Sequence, residues 1–250
     1  LLTGESGVGK EVAAHFLHDI SPRAGAPFVA VNCAAVPGEL LESEMFGHER
    51  GSFTGAHSRH EGYAERAQNG TLFLDEISEM PLPMQTKLLR LVQDQTFFRV
   101  GGEDAVSFRA RLVCATNADL RARIVEGRFR KDLYYRLDVI HVPIPPLRER
   151  RDDILPLIDH YTARFALAFD REVRGLTTLA QEATLGYDWP GNVRELRNRV
   201  ERAVALAEGP WLSICGLFPE RVRGTGDESE TPPTEVMPLA YARAEAERRC

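Results

Sequence analysis

The sequence predicts an α/β fold in which helices cover both faces of a mostly parallel sheet, followed by a C-terminal lid of three helices. Short apolar runs of strand length alternate with helical periods up to about residue 148, and this alternation is typical of a parallel sheet. From Arg151 onward apolar residues recur only at helical spacing. The 250 residues, 43% hydrophobic and 27% charged, suffice for one such domain and a small helical companion.

The elements of the first 148 residues follow from short patterns. Val12, Phe16 and Ile20 fall at helical spacing after Lys10, and they predict one apolar helix face. Further helices are predicted at 38–45, after Pro81, and up to about residue 137. A hairpin is expected around the two glycines at 101–102. The predicted sheet strands are the apolar runs at 1–3, 28–31, 71–74, 112–115 and 139–144.

The lid and the segments after it complete the expected domain plan. A core at 1–148, containing a long polar loop at about 46–62, precedes the helical lid at 149–217. Prolines with Gly, Ser and Glu make 218–238 a linker, and 239–250 is the start of another helix. Both ends of the sequence look cut, so we expect a fragment of a longer protein.

Composition narrows the functional classes. With a formal charge of −6, the chain lacks the excess of basic residues that is expected of a nucleic-acid binder. No apolar run approaches the roughly 18 to 20 residues of a membrane span, and no signal peptide is expected. The four cysteines form no C-x-x-C pair, so we expect neither a metal site nor disulfides. Free cysteines are typical of a reducing compartment, and we therefore expect a cytoplasmic location.

A phosphate-binding loop is predicted at the start of the chain. The segment matches G-x-x-x-x-G-K between a strand and a helix, where backbone N–H groups and the helix dipole favour phosphate. Lys10 would reach the β- and γ-phosphates of ATP. Glu11 stands where Ser or Thr usually binds Mg²⁺, so direct metal ligation from that position is in doubt. The predicted nucleotide-binding residues are Gly4, Glu5, Ser6, Gly7, Val8, Gly9, Lys10 and Glu11.

Polar residues at three strand ends are candidates for the chemistry. Asp75 is suited to hold Mg²⁺ through water, and Glu76 to polarise the attacking water. Asn117 would orient the same water or sense the γ-phosphate, although an Asx-turn at a strand end is the plainer alternative. Asn32 is placed to hydrogen-bond Glu76.

Taken together, these motifs resemble the AAA+ module of sigma-54-dependent transcriptional activators over residues 1–217. The most specific element is a hexapeptide that matches the family's GAFTGA loop with Ser in place of Ala. Segments 4–11, 129–137 and 189–196 also match, including the glutamate at position 11. The hexapeptide consists of Gly51, Ser52, Phe53, Thr54, Gly55 and Ala56.

The resemblance implies roles for single residues. Phe53 and Thr54 would lie at the tip of a mobile loop and contact sigma-54, and the glycines beside them permit movement. Asn32 resembles a switch residue that restrains the catalytic glutamate, here Glu76. The hairpin at 100–102 resembles a second loop that moves with the first.

The resemblance also implies an assembly. Arg130 and Arg136 resemble arginine fingers presented to ATP held by a neighbouring subunit, and Arg194 resembles the lid arginine that contacts the same subunit's nucleotide. For each arginine, the alternative interpretation is a surface salt bridge, which is the commoner role of a single arginine. The family suggests a homo-oligomeric ring, a hexamer, acting on RNA polymerase holoenzyme. DNA binding is expected only through a C-terminal helix-turn-helix outside this chain.

Two other interpretations remain open from the sequence. One is a different AAA+ remodelling ATPase, against which the hexapeptide at 51–56 argues. The other is a nucleotide-binding scaffold without turnover, against which Glu76, Asn117 and the two candidate finger arginines argue. A GTPase is not favoured, because no N-K-x-D motif is present.

Overall fold

The computed structural model describes residues 1–219, so the predicted linker from residue 220 and the predicted helix at 239–250 lie outside the described residues. The chain divides into two compact units, Leu1–Ile144 and Pro145–Cys250. This division lies four residues before the expected boundary at 148/149. Within residues 1–219, no helix combines the length and the hydropathy that a membrane span requires.

A five-stranded parallel sheet organises the first unit. Its strand order is β2-β3-β6-β1-β7, and β4 and β5 form a separate antiparallel hairpin. Because all five strands run in one direction, their carboxyl ends lie along one edge of the sheet. The strands are β1 (Leu2–Thr3), β2 (Phe28–Asn32), β3 (Thr71–Asp75), β4 (Thr96–Phe98), β5 (Ala105–Ser107), β6 (Arg111–Thr116) and β7 (Val142–Pro143).

Helices cover both faces of this sheet. On one face, buried Leu72 and Leu74 of β3 belong to the main apolar cluster with residues of α4 and α6. On the other, Phe73 packs in a smaller cluster with Ala14 of α1. Burial on both sides explains why β3 reads as a continuous apolar run. The helices are α1 (Lys10–Asp19), α2 (Gly38–Phe46), α3 (Tyr63–Arg66), α4 (Leu82–Asp94), α5 (Leu120–Val125) and α6 (Lys131–Leu137).

The predicted apolar face of α1 is wrong. Val12, Phe16 and Ile20 are 73%, 61% and 64% exposed, whereas Ala14 and His18 are buried. Ala14 has no side chain beyond Cβ, so the helix can approach the sheet closely at this point. The His18 ring lies 3.0 Å from Thr71 Oγ1, which satisfies a buried polar group that periodicity alone would place outside.

Within residues 145–219, the second unit has the three expected helices, a fourth helix of four residues that was not expected, and two strands. The strands form a short parallel pair, so the expectation that strands end at residue 151 is wrong. Pairs of two residues carry no periodic signal, which is why the sequence did not predict them. The elements are α7 (Ile154–Phe169), β8 (Gly175–Leu176), α8 (Thr178–Leu185), α9 (Asn192–Ala205), β9 (Trp211–Leu212) and α10 (Ile214–Leu217).

The core of the second unit continues into the predicted linker. Phe218 is fully buried, and its ring lies 5.0 Å from that of Tyr187 and 5.8 Å from that of Trp189. Placing the linker start at Phe218 is therefore wrong, because the aromatic side chain fills the core of this unit.

Candidate functional site

The glycine-rich turn between β1 and α1 has the backbone that its sequence predicts. Gly4, Gly7 and Gly9 have positive φ angles of 152°, 79° and 102°. A Cβ at Gly4 would lie 2.5 Å from the carbonyl oxygen of Ile144, so only glycine fits there. The turn ends at Lys10, the first residue of α1, and it thereby presents N–H groups at a helix N-terminus.

Lys10 is held inside this turn by backbone and side-chain oxygens. Its Nζ donates to the carbonyl oxygens of Gly4 at 3.0 Å and Glu5 at 3.3 Å, and it lies 3.9 Å from Glu76 Oε1. The side chain is only 7% exposed. The ammonium is thus fixed beside the loop, with a carboxylate as its counter-charge. Glu11, the next residue, is exposed.

The two carboxylates after β3 lie at the same edge of the sheet. Asp75 Oδ1 accepts the N–H of Glu76 at 3.0 Å, and its Oδ2 has no hydrogen-bond donor within residues 1–219. Glu76 has a φ of 51°, a left-handed conformation that is uncommon for a residue with a side chain. Backbone of this kind often occurs at functional sites. One Glu76 oxygen faces Lys10 and the other accepts the N–H of Asn117 at 3.3 Å.

The two asparagines are brought to the same edge with different contacts. Asn32 pairs in register with Asp75, but its Oδ1 accepts the N–H of Ala34 at 2.9 Å. Among the described residues no hydrogen bond joins it to Glu76, so the expected contact between them is not formed. The side chain instead closes an Asx-turn on its own loop. Asn117 contacts Glu76 through its backbone, and its side chain is exposed.

The hexapeptide loop between α2 and α3 is closed at its tip. The N–H of Gly51 donates to the carbonyl oxygen of Ala56 at 2.8 Å, and the N–H of Ala56 donates to that of Phe53 at 3.0 Å. Gly51 and Gly55 have φ angles of 82° and 105°, which glycine adopts without strain. Thr54 is exposed, Ala56 is buried, and Phe53 is 42% exposed.

The base of this loop is joined to the β4–β5 hairpin. His48 exchanges backbone hydrogen bonds with His60 across the loop. On its other side, the N–H of Glu49 donates to Val100 and the N–H of Val100 donates to Gly47, at 3.0 and 2.9 Å. Loop and hairpin therefore share one small ladder, and a displacement of either must move the other.

Side chains reinforce that ladder. Arg99 donates to Glu49 at 3.1 Å and to both carboxylate oxygens of Glu65 at 2.8 and 3.0 Å, and it is only 10% exposed. Hydrogen bonding to Arg99 holds the pKa of Glu65 below its usual range, and the pKa of Arg99 is raised mainly by Glu65. Sequence reasoning missed Arg99, since an arginine after a strand has no distinguishing pattern.

The hairpin touches the hexapeptide directly. Gly101 has a φ of 75°, and a Cβ there would lie 2.6 Å from the Cβ of Ser52. The Ser52 hydroxyl is buried, with no partner within residues 1–219. Although Ser52 belongs to a polar loop, its hydroxyl is therefore enclosed where the hairpin packs on the loop.

The candidate finger arginines lie at and within α6. Arg130 precedes the helix, and its guanidinium forms a bidentate pair with Asp132 through Nε at 3.0 Å and Nη2 at 2.5 Å. This pairing lowers the pKa of Asp132. Arg136 is exposed and lies in the last turn of the helix. Neither side chain contacts Lys10 or Glu76 of its own chain among the described contacts. Arg194 belongs to the second unit, in the first turn of α9.

Two buried thiols lie close to the site. The N–H of Cys33 donates to the carbonyl oxygen of Asp75 at 2.9 Å. Burial, with further contributions from the charges of Asp75 and Glu76, raises the pKa of Cys33 to about 12. Burial likewise raises the pKa of Cys114 to about 12. Both thiols are therefore packing groups in the protonated form.

Comparisons with known proteins agree with this arrangement. A family model described as "Sigma-54 interaction domain" matches residues 1–143, and one described as "AAA+ ATPase lid domain" matches residues 148–234. Regulatory protein AtoC of Escherichia coli K12 is 50% identical over 220 residues, covering 88% of this chain and 48% of AtoC. The DNA-binding transcriptional regulator NtrC of the same strain is 48% identical over 242 residues, covering 97% of this chain and 51% of NtrC.

A solved structure extends the similarity to three dimensions. The crystal structure of NtrX from Brucella abortus in complex with ADP matches with a TM-score of 0.81 at 36% identity, covering 99% of this chain and 56% of that chain. The same protein in complex with ATP also matches with a TM-score of 0.81. The chain thus spans about half the length of these relatives.

Proposed function

The chain belongs to the sigma-54 interaction domain family of AAA+ proteins, and on this premise we propose that it hydrolyses ATP to remodel the closed complex of sigma-54 RNA polymerase. The observation that supports the proposal is that the expected phosphate-binding turn and the hexapeptide loop belong to one compact unit. Lys10, Asp75 and Glu76 meet at the sheet edge, while the 51–56 loop is exposed at its tip and ordered at its base. The remodelling takes place in the cytoplasm, where polymerase works.

Lys10 and the backbone N–H groups of the turn hold the phosphates of ATP. Nucleotide binding draws the Lys10 ammonium toward the phosphates and separates it from Glu76. Glu76 then acts as the general base that orients and deprotonates the attacking water. Asn117 helps to place the same water, since its backbone already fixes one Glu76 oxygen.

Magnesium fits the donors at this edge. The open Oδ2 of Asp75 is the type of oxygen ligand that Mg²⁺ prefers, and phosphate oxygens and waters would complete the shell. When bound, the ion neutralises charge on the phosphates and so assists cleavage. We keep Glu11 among the residues that flank the nucleotide but not among the Mg²⁺ donors, because its carboxylate would be repelled by the phosphates.

Further residues link turnover to assembly. We assign Arg130 and Arg136 as fingers that a neighbouring copy inserts beside ATP, and Arg194 as the arginine that senses nucleotide within its own chain. A guanidinium supplied in trans is worth about 10³ to 10⁵ in rate where it has been measured. The assembly we propose is a homo-oligomeric ring, a hexamer. Asn32 restrains Glu76 in a different arrangement, after its Asx-turn opens.

The loop carries the mechanical output. Movement of the hairpin passes to the hexapeptide through the ladder at Val100 and through the contact between Gly101 and Ser52. Phe53 and Thr54 at the tip then press on sigma-54. Specific DNA binding belongs to a separate C-terminal domain.

Substitution of the loop tip tests the contact with sigma-54. Thr54→Ala should keep phosphate release, because the side chain is exposed and remote from the sheet edge. It should abolish the complex with sigma-54 that forms in the presence of a transition-state analogue of ATP, measured by native gel shift. A matched control is Ser58→Ala, which removes an exposed hydroxyl beyond the hexapeptide. Retention of sigma-54 by Thr54→Ala would refute the assignment of the loop.

A further inference from the structure

One polar side chain of α4 is completely buried and fully hydrogen-bonded. Gln85 has no exposed surface. Its Nε2 donates to the carbonyl oxygens of Met80 at 2.7 Å and Arg128 at 3.0 Å, and its Oε1 accepts the N–H of Arg130 at 2.8 Å. Both amide hydrogens and the amide oxygen are therefore used.

These three bonds connect the segment that follows the proposed general base with the segment that carries the candidate finger. Met80 directly follows the short helical turn Ile77–Glu79, whose N-cap is Glu76. Arg128 and Arg130 belong to the stretch that leads into α6. The Gln85 side chain thus ties the segment after the general base to the backbone of the candidate finger.

The neighbouring side chains hold the finger in the same place. Thr86 Oγ1 lies 3.4 Å from Nη1 of Arg130, and Asp132 takes Nε and Nη2. Gln85 fixes the backbone of Arg130, while Thr86 and Asp132 fix its guanidinium. The Gln85 and Thr86 contacts are partly buried, whereas the two Asp132 contacts are exposed, so the α4 residues are better placed to fix the starting position of the guanidinium.

We propose that Gln85 is a positioning residue that places the finger Arg130 relative to the Glu76 end of its own chain. The inference rests on the proposed function, because it requires that Arg130 act on ATP held by a neighbouring copy. A protomer without Gln85 keeps its own Lys10, Asp75 and Glu76. Its defect appears at the next protomer's site, where the displaced finger fails to reach the phosphates.

The test is a complementation in trans with the purified full-length protein. Gln85→Met removes all three hydrogen bonds with an unbranched side chain of similar length. It should lower kcat for phosphate release about 10²-fold, the size of effect that a displacement of about 1 Å can produce, with little change in KM. Equal mixing with Glu76→Gln, which has an intact finger but no general base, should restore activity. At random, about a quarter of head-to-tail interfaces pair an intact site with an intact finger.

Two control mixtures are needed to interpret this result. Arg130→Ala mixed with Glu76→Gln measures how far a lost finger can be complemented. Leu88→Ala changes a buried α4 residue whose apolar side chain forms no hydrogen bond, and it reports the effect of a weakened core. Thermal unfolding identifies variants that do not fold. If Gln85→Met is among them, Gln85→Leu, which also removes all three hydrogen bonds, takes its place.

Each outcome decides the question. Recovery in both the Gln85 and the Arg130 mixtures supports the positioning role. Recovery with Arg130→Ala but not with the Gln85 variant overturns it, since the amide would then serve its own chain's site or the fold. Recovery in the Leu88 mixture equal to that of the Gln85 variant also overturns it. If the mixture of Arg130→Ala with Glu76→Gln shows no recovery, Arg130 does not act on ATP held by a neighbouring copy. That result contradicts the proposed function itself rather than the role of Gln85.

Discussion

At the scale of single residues, Lys10 and Glu76 partly neutralise each other. Their side chains are 7% and 18% exposed and lie 3.9 Å apart, so neither charge is well solvated by water. In the proposed mechanism, ATP competes with Glu76 for the ammonium and releases the carboxylate to act on water. Nucleotide binding and activation of the proposed base are then the same event.

Glu76→Gln should separate these two roles. The neutral amide competes less for Lys10, so nucleotide binding, measured with a fluorescent ATP analogue, should be kept or strengthened. Phosphate release should fall about 10²- to 10⁴-fold, because general-base catalysis is lost. Glu79→Gln, three residues later and 48% exposed, is the control and should release phosphate normally. Unchanged turnover by Glu76→Gln would exclude Glu76 as the base.

The cysteines give a second prediction at this scale. With pKa values raised to about 12, the thiols of Cys33 and Cys114 remain protonated at neutral and mildly alkaline pH. Only about one thiol in 10⁴ is the reactive thiolate at pH 8. Peptide mass spectrometry after iodoacetamide treatment of the native protein should find both unmodified and exposed Cys215 labelled. Unfolding should make all three react, and rapid native labelling of Cys33 would contradict its burial.

At the scale of elements, the contact between hairpin and loop depends on a glycine. Gly101→Ala places a side chain at a φ of 75°, which costs about 1 to 2 kcal/mol, and drives its Cβ toward Ser52. The loop tip should shift, and retention of sigma-54 with a transition-state analogue should fall about tenfold or more. Phosphate release should persist, because the sheet edge is untouched.

The adjacent glycine offers a matched comparison. Gly102 lacks the positive φ, and a Cβ there would meet only the flexible Glu49 side chain at 3.3 Å and atoms of Arg99 beyond. Gly102→Ala should therefore retain sigma-54 almost normally. Equal losses in the two variants would show that the hairpin tolerates no added side chain at all, and the specific contact with Ser52 would lose its support.

The elements also show where sequence patterns are informative. The strands ending at Asn32, Asp75 and Thr116 were predictable, because a strand buried on both faces needs an unbroken apolar run. The side of α1 that faces the sheet was not predictable. A periodicity analysis gives more weight to large apolar residues at helical spacing than to the small Ala14. The direction of the Asn32 side chain was not predictable either. Its amide has a local partner at Ala34 that competes with the distant Glu76.

The sequence pattern identified some residues of the candidate site and missed others. Glycine-lysine turns and paired acids have distinctive composition, so Lys10, Asp75 and Glu76 stood out. Arg99 and Gln85 act through contacts with segments 34 and 45 residues away. Such pairings arise only when the chain folds, and neither residue belongs to a short local motif.

At the scale of the whole molecule, the proposed finger arginines would make turnover depend on assembly. Arg130 is engaged with Asp132 of its own chain and does not contact its own Glu76. Phosphate release per protomer should therefore rise steeply with protein concentration and parallel the oligomer fraction seen by sedimentation. Arg136→Ala should remove this activity while leaving nucleotide binding intact. A dilute monomer with full turnover would contradict the proposal.

The enclosed hydroxyl of Ser52 has a consequence for how the resting loop is populated. An unpaired buried hydroxyl is less stable than one hydrated by solvent, so the docked arrangement carries a small penalty that an alanine would not. Lifting the tip away from the hairpin lets the hydroxyl regain water, which offsets part of the energy of undocking. This chain should therefore spend a larger share of its time with the tip raised than a relative with alanine at that position.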